Sequence, residues 1–250
     1  MTLLHTRPEA AMSLRLLDGF ALEVEGRAHE VTPAAARLIA YLALRGSALT
    51  RSQVAGALWG DRTEERAAAC LRSAIWRANC GLEQPLVRAG RTTVALCPHR
   101  LDTRAAAAAA HDQFVGRPPV DPAVLGGNLL PGWDDEWVLV ERERLRLLCL
   151  GGLERMAESL LVAGEYYRAI EAACAVLAAD SLREAAYRIV IEAHAHLGNR
   201  AEALRQFKLC RTMLRRELGL DPGSELIAVV QRLLTESRVE SRTDLPTSAA

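Results

Sequence analysis

Gly164-Glu165-Tyr166-Tyr167-Arg168-Ala169-Ile170 is answered 34 residues later by Gly198-Asn199-Arg200-Ala201-Glu202-Ala203-Leu204. In each copy a glycine and a polar residue lead, three positions on, into alanine and an aliphatic side chain. A step of that length is a helix–turn–helix unit, which cannot bury its apolar face alone and stacks on its neighbours. The second half of the chain therefore reads as an interaction platform. The first hundred residues must supply whatever the platform serves.

Outward from the repeat, the pattern is helical from Trp133 to about Leu234, with breaks at Gly164, Asp180-Ser181, Gly198 and residues 219–223. Ala169, Ala173, Ala186 and Ala203 allow close helix approach, while Tyr166, Tyr167, Tyr187 and Phe207 fill the gaps between. Trp133 and Trp137, four apart, share one helix face and are expected to pack against the first half. His194 and His196, two apart, do not face one metal, and His194 reads as a packing position. The alanine run at 105–110 predicts helix, and residues 116–127, with three prolines, a loop. A loose leader is expected over 1–12 and a disordered polar tail over 236–250.

Residues 14–24 alternate apolar and polar around Asp18-Gly19, a strand pair with a tight turn. A third short strand is expected over 28–31. Thr32-Pro33 starts a helix that ends near Arg45-Gly46. A second helix follows Thr50-Arg51-Ser52 and runs to Trp59-Gly60, where Trp59 reads as a core residue. A third begins near Thr63-Glu64-Glu65, whose acids suit the positive end of the helix dipole, and continues to Cys80-Gly81. Residues 86–96 alternate around Ala89-Gly90 as a hairpin. Strands, three helices and a terminal hairpin make a winged helix–turn–helix. The fold class is mainly α: this module over 13–100, then a tetratricopeptide-like helical repeat over 101–235.

The formal net charge of zero conceals an asymmetry. Residues 1–100 hold 13 Arg against 9 acids, and residues 66–100 hold six Arg against Glu83 alone. A local basic stretch in a neutral chain suits a polyanion partner. The six cysteines include no CxxC pair, so they read as buried thiols in a reducing compartment, not as a metal or disulfide set. No secretory leader and no apolar run long enough for a membrane span is present, which predicts a cytoplasmic protein. No GxSxG, GxxxxGK[ST] or HExxH motif offers catalysis, so neither an enzyme nor a cofactor or metal is expected.

On the third helix, Leu71, Ile75, Ala78 and Leu82 share one face by period. The opposite face collects Arg66, Ser73, Trp76 and Arg77, with Arg72 at its margin. The planar guanidinium fork matches guanine edges and phosphates with two parallel hydrogen bonds. As the second helix of a helix–turn–helix, this face suits the major groove. The hairpin's Arg88, Arg91, Thr92 and Thr93 then form a wing for an adjacent groove or the backbone. Thr50, Arg51 and Ser52 offer either a phosphate site at a helix N-terminus or an ordinary cap.

These residues carry a resemblance. The run from Leu14 to Leu96, with Leu58-Trp59-Gly60 and Leu71-Arg72-Ser73-Ala74-Ile75-Trp76-Arg77, resembles the OmpR/PhoB-type DNA-binding domain. The second half resembles the bacterial transcriptional activator domain. The residues that carry it are Trp133-Asp134-Asp135-Glu136-Trp137-Val138-Leu139-Val140-Glu141-Arg142-Glu143-Arg144, Leu182-Arg183-Glu184, and Glu217-Leu218-Gly219-Leu220-Asp221-Pro222. In this order they resemble the Streptomyces antibiotic regulatory protein (SARP) family. The resemblance implies an activator that binds direct-repeat, double-stranded promoter DNA, recruits RNA polymerase and forms a homodimer, on DNA or before it. No nucleotide-binding domain is read after the platform and no aspartate-bearing receiver domain is read in the chain, so neither the ATP-driven switching of larger relatives nor phosphorylation by that route is expected. One departure stands out: where the family carries Leu-Arg and a further basic residue, this chain has Ala78-Asn79-Cys80. Lost phosphate contacts weaken affinity and flatten its salt dependence. The alternative is an interaction adaptor whose winged helix no longer binds DNA on its own.

Overall fold

The computed structural model describes residues 12–97 and 100–243. Residues 1–11 of the expected leader and 244–250 of the expected tail lie outside the described residues. The chain is mainly α and forms two compact units, one of residues 1–105 with 127–146, the other of 106–126 with 147–250.

In the first unit, β1 (Met12–Arg15) pairs antiparallel with β2 (Ala21–Val24), and β2 with β3 (Arg27–Ala28). The turns use positive φ at Asp18 (59°) and Gly19 (140°), then at Glu25 (54°) and Gly26 (75°), the backbone region that short Asx-Gly and Gly-containing turns favour. The third strand stops at Ala28 instead of running over 28–31. His29 still donates to the Leu22 carbonyl at 2.8 Å, after which the chain turns away into the helix that Pro33 opens. Sequence did not give β7 (Arg100–Leu101), which lies parallel to β1 and makes the order β3-β2-β1-β7. Directly after it, the Asp102 carboxylate accepts from the N–H groups of Leu16 at 2.9 Å and Leu17 at 2.8 Å, where the ladder of β1 ends.

The helix α1 (Pro33–Arg45) is buried nearly all round through Leu38, Ile39, Leu42 and the alanines between, and ends on left-handed Gly46. Packed with it are α2 (Arg51–Trp59), whose Trp59 is buried as expected, and α3 (Glu64–Asn79). A second sheet joins β4 (Leu49–Thr50), β5 (Val87–Ala89) and β6 (Thr93–Leu96) in the order β4-β6-β5.

Residues 127–146 complete this unit. Leu17 bridges Leu129, and the Leu130 N–H donates to Leu16 O at 2.9 Å. The helix α5 (Glu136–Val162) opens here. Trp133 stacks on Phe20 with ring centroids 6.1 Å apart, and Trp137 meets Tyr41 edge-on at 5.2 Å. The tryptophan face thus packs on the N-terminal elements, as its spacing predicts. Asp135 pairs with Arg37, and the Arg142 guanidinium donates to the carbonyls of Leu129, Leu130 and Trp133 at 2.6–3.0 Å. The Trp133–Arg144 run is therefore a clasp on the winged helix.

The second unit takes most of α4 (Asp102–Phe114) and of α5, then α6 (Tyr166–Ala179), α7 (Glu184–His196), α8 (Arg200–Leu218) and α9 (Ser224–Thr243). The two repeat turns match in backbone: Gly164 and Gly198 have φ of 77° and 74°. Glu165 (φ −84°, ψ 59°) and Asn199 (φ −86°, ψ 56°) follow them. The N–H of Glu165 reaches Leu160 O and that of Asn199 reaches His194 O, the same bond 34 residues apart. The later motifs meet as well, because the Glu184 carboxylate accepts from Gly223 N–H at 2.7 Å. Asp221 accepts from both Arg211 and Arg215. Residues 236–243, assigned to the tail by composition, continue α9.

The cysteines differ from expectation. Cys149 and Cys210 are buried, Cys70 and Cys97 half-buried, and Cys80 and Cys174 exposed, since these last two fall at a helix end and on an outer helix face. Among the described residues no helix is long and apolar enough to cross a membrane.

Candidate nucleic-acid interface

The helix α3 starts after Thr63 with Glu64 and Glu65 in its first turn, and buries Ala67, Leu71, Ala74, Ile75 and Ala78. Leu71, Ile75 and Ala78 are the face that period predicts. Leu82 is not part of it: the helix ends at Asn79, Cys80 is extended, and Gly81 turns the chain with φ of 79°. Ala78 is fully buried, so a larger side chain there would need room that the packing does not leave.

On the opposite side Arg66, Arg72, Ser73, Trp76 and Arg77 are all exposed. Trp76 leaves 67% of its surface in water, which removes it from the core and sets a large flat apolar ring among the arginines. Among the described residues the side chains of Arg66, Arg72, Arg77, Arg88 and Arg91 have neither an ion pair nor a hydrogen bond to protein. Eight arginines of the second unit contrast with them. Arg155, Arg168, Arg183, Arg188, Arg205, Arg211, Arg215 and Arg216 each hold a carboxylate. Unpaired guanidinium groups gathered on one helix and hairpin keep their full attraction for an external anion.

The hairpin carries Arg88 on β5, Arg91 at its turn, Thr92 beside it and Thr93 on β6, all exposed. It is tied to the start of α2. Thr50 pairs with Thr93, the Arg51 N–H donates to Thr92 O at 2.9 Å, and the Arg51 guanidinium donates to Gly90 O at 3.1 Å. Thr50, Arg51 and Ser52 therefore sit beside the wing tip. A capping box is present at this helix start: the Thr50 hydroxyl accepts from Gln53 N–H, and the Gln53 side chain accepts from Thr50 N–H. Ser52 remains exposed next to Thr50, with their hydroxyls 3.2 Å apart.

Sequence missed the part played by Asn79. Its amide Nδ2 donates to Val87 O and its Oδ1 accepts from Val87 N–H, both at 2.9 Å. Nothing in local spacing announces this, because the two residues are joined across a turn. The position that reads as a lost cation holds the hairpin.

Comparison with known proteins agrees with this architecture. Residues 123–234 match the family model of the bacterial transcriptional activator domain. The chain is 28% identical over 220 residues to the regulatory protein AfsR of Streptomyces coelicolor, a match spanning 81% of this chain and 22% of that protein. It is 29% identical over 213 residues to AfsR of Streptomyces griseus, with 80% of this chain and again 22% of the relative covered. The chain thus spans about a fifth of the length of these regulators. In fold it is similar to Mycobacterium tuberculosis EmbR, solved in complex with a low-affinity phosphopeptide. The TM-score is 0.71 at 20% identity, covering 91% of this chain and 66% of that one. The chain is thus a winged helix followed by helical repeats, the latter carrying the segment that matches the bacterial transcriptional activator domain, and over most of its length it is similar to part of the AfsR regulators.

Proposed function

We propose that this chain is a DNA-binding transcriptional regulator acting in the cytoplasm as an activator. Its winged helix over 13–100 reads double-stranded promoter DNA. The helical domain over 101–235 serves dimerisation on direct-repeat sites and recruitment of RNA polymerase. The supporting observation is the set of unpaired, exposed arginines gathered on α3 and the hairpin, where eight arginines of the repeat unit each hold a carboxylate. In this reading Arg72, Ser73, Trp76 and Arg77 enter the major groove, with Arg66 at its edge. Arg fits guanine O6 and N7, and the Trp76 ring covers a thymine methyl or a sugar. Arg88, Arg91, Thr92 and Thr93 hold the adjacent groove or backbone, while Thr50, Arg51 and Ser52 approach a phosphate from the α2 N-terminus.

The test is binding to the DNA upstream of the chain's own gene, titrated with salt. Wild type is expected to bind with sequence preference and a steep negative slope of log affinity against log salt, about −0.9 per phosphate neutralised. Arg72→Ala or Arg77→Ala should cost about 1–3 kcal/mol of discrimination, roughly 5- to 150-fold, at unchanged melting temperature. Wild-type binding retained in both variants sinks the assignment of α3 as the reading element. No binding by wild type at low salt favours the adaptor.

A further inference from the structure

The wing is an edge hairpin, and edge hairpins in isolation hold their place poorly. Here it is fastened at both ends. At the tip, Arg51 takes Thr92 O with its backbone N–H and Gly90 O with its guanidinium. At the root, Asn79 makes both bonds that a neighbouring strand would offer Val87, one donated and one accepted. Val87 is the first residue of β5, is buried, and pairs with Leu96 of β6. Since β5 lies at the edge of the order β4-β6-β5, the Asn79 amide closes the free side of the hairpin onto the end of α3.

We propose that Asn79 is the positioning residue of the wing: it sets where Arg88 and Arg91 stand relative to Arg72, Ser73, Trp76 and Arg77. The chemistry is specific to a carboxamide. An arginine has only donors and leaves the Val87 N–H without a partner, while an aspartate accepts from that N–H but cannot donate to the carbonyl. The departure from a basic residue at this position thus exchanges one cation for a wing held in register. The DNA part of this inference rests on the reading given under the proposed function; the clamp itself does not.

The experiment uses the full chain with Asn79→Ala, Asn79→Asp and Asn79→Arg. It reads amide hydrogen exchange at Val87 and hydroxyl-radical footprints on a duplex selected by wild type from a randomised pool. In Asn79→Ala and Asn79→Arg, exchange at Val87 is expected to rise by at least about tenfold while the amides of α1 keep their protection. The footprint loses the protections flanking the major-groove contact and keeps the central ones. Asn79→Asp, with one bond left, falls between. Asn79→Arg steepens the salt dependence without restoring the flanking protections. If Asn79→Ala unfolds the chain, so that α1 exchanges as well, exchange at Val87 in Asn79→Arg and the flanking protections in Asn79→Asp decide, because aspartate keeps the Val87 N–H bond and loses only the one to the carbonyl. Unchanged exchange at Val87, or flanking protections that strengthen in Asn79→Arg, overturns the proposal, the second result marking a vacated phosphate contact. Failure of wild type to retain any duplex overturns the DNA reading instead, while exchange at Val87 still decides the clamp.

Discussion

At the residue scale, each arginine is distinguished by what its guanidinium faces. Arg183 spans Glu154 and Asp180, and Arg188 spans Glu158 and Glu192, ties between helices of the repeat unit. Arg72 and Arg77 face water with nothing to neutralise them, which no folding requirement explains. The same scale holds a pH-sensitive core position. Cys210 lies fully buried among Tyr187, Ile191, Ala203, Leu214 and Leu226. Burial, and behind it the negative charge of Glu184, pushes its thiol from 9.0 up to about 12. Burial raises the Tyr187 hydroxyl as well. A raised folded pKa means that the folded state holds the proton more tightly than the unfolded chain. Its stabilising effect is therefore complete below pH 9.0 and declines as pH climbs toward about 12. The melting temperature should fall over that window, and Cys210→Ala should remove part of the fall. A decline of the same steepness in that variant would place the titration elsewhere. Cys80, exposed at the end of α3, should meanwhile alkylate in the native protein under conditions that leave Cys210 untouched.

At the element scale, the alanine run that sequence identified only as helix turns out to be a contact face. Ala106 and Ala110 of α4 are buried, and α5 meets Ala110 with Gly152. A Cβ on Gly152 would stand 2.9 Å from the Ala110 Cα and 3.0 Å from its Cβ, backbone and stub that cannot swing aside. In an open helix Gly→Ala gains about 1 kcal/mol from propensity. Here Gly152→Ala should instead destabilise by about 1–3 kcal/mol through overpacking, read as a shift in the denaturation midpoint. The neighbour Gly151 is the control, since its added Cβ would meet the Phe114 ring at 3.1 Å and that ring can turn. A Gly152→Ala protein as stable as wild type would show that α4 and α5 are not locked here. The elements themselves were legible where a periodic signal was long: the breaks at Gly164, Gly198 and residues 219–223 bound α6, α8 and α9 closely. β4 and β7, two residues each, were not, because a period needs more residues than they have. The outer face of α3 was legible for the same reason that its inner face was. The Asn79 bond to Val87 was not, since it joins a helix end to a strand across a turn with no pattern of its own.

At the scale of the whole molecule, sequence order and compact units diverge. Read along the chain, the Trp133–Arg144 run opens the second half, and the matched activator-domain segment begins at residue 123. In space, residues 127–146 belong to the winged-helix unit. The one legible hint was the tryptophan pair four apart. Which rings it would meet, Phe20 and Tyr41, depends on contacts about a hundred residues distant, beyond the reach of any local pattern. The interleaving has a measurable consequence. A fragment ending at residue 105 strips the cover from Tyr41, takes Leu129 from Leu17, and leaves Arg37 without Asp135. Loss of the buried Trp137 alone should cost about 3–5 kcal/mol, a large part of what a domain this size has to lose. A fragment ending at residue 146 keeps the clasp, including the three carbonyls that Arg142 satisfies. The longer fragment is therefore expected to unfold cooperatively, and the shorter to melt well below it or without a clear transition. In the full chain, Trp137→Ala should lower stability of the winged helix by a comparable amount, seen as faster amide exchange in α1. Equal melting temperatures for the two fragments, with α1 protection untouched in Trp137→Ala, would mean that the winged helix stands without its clasp.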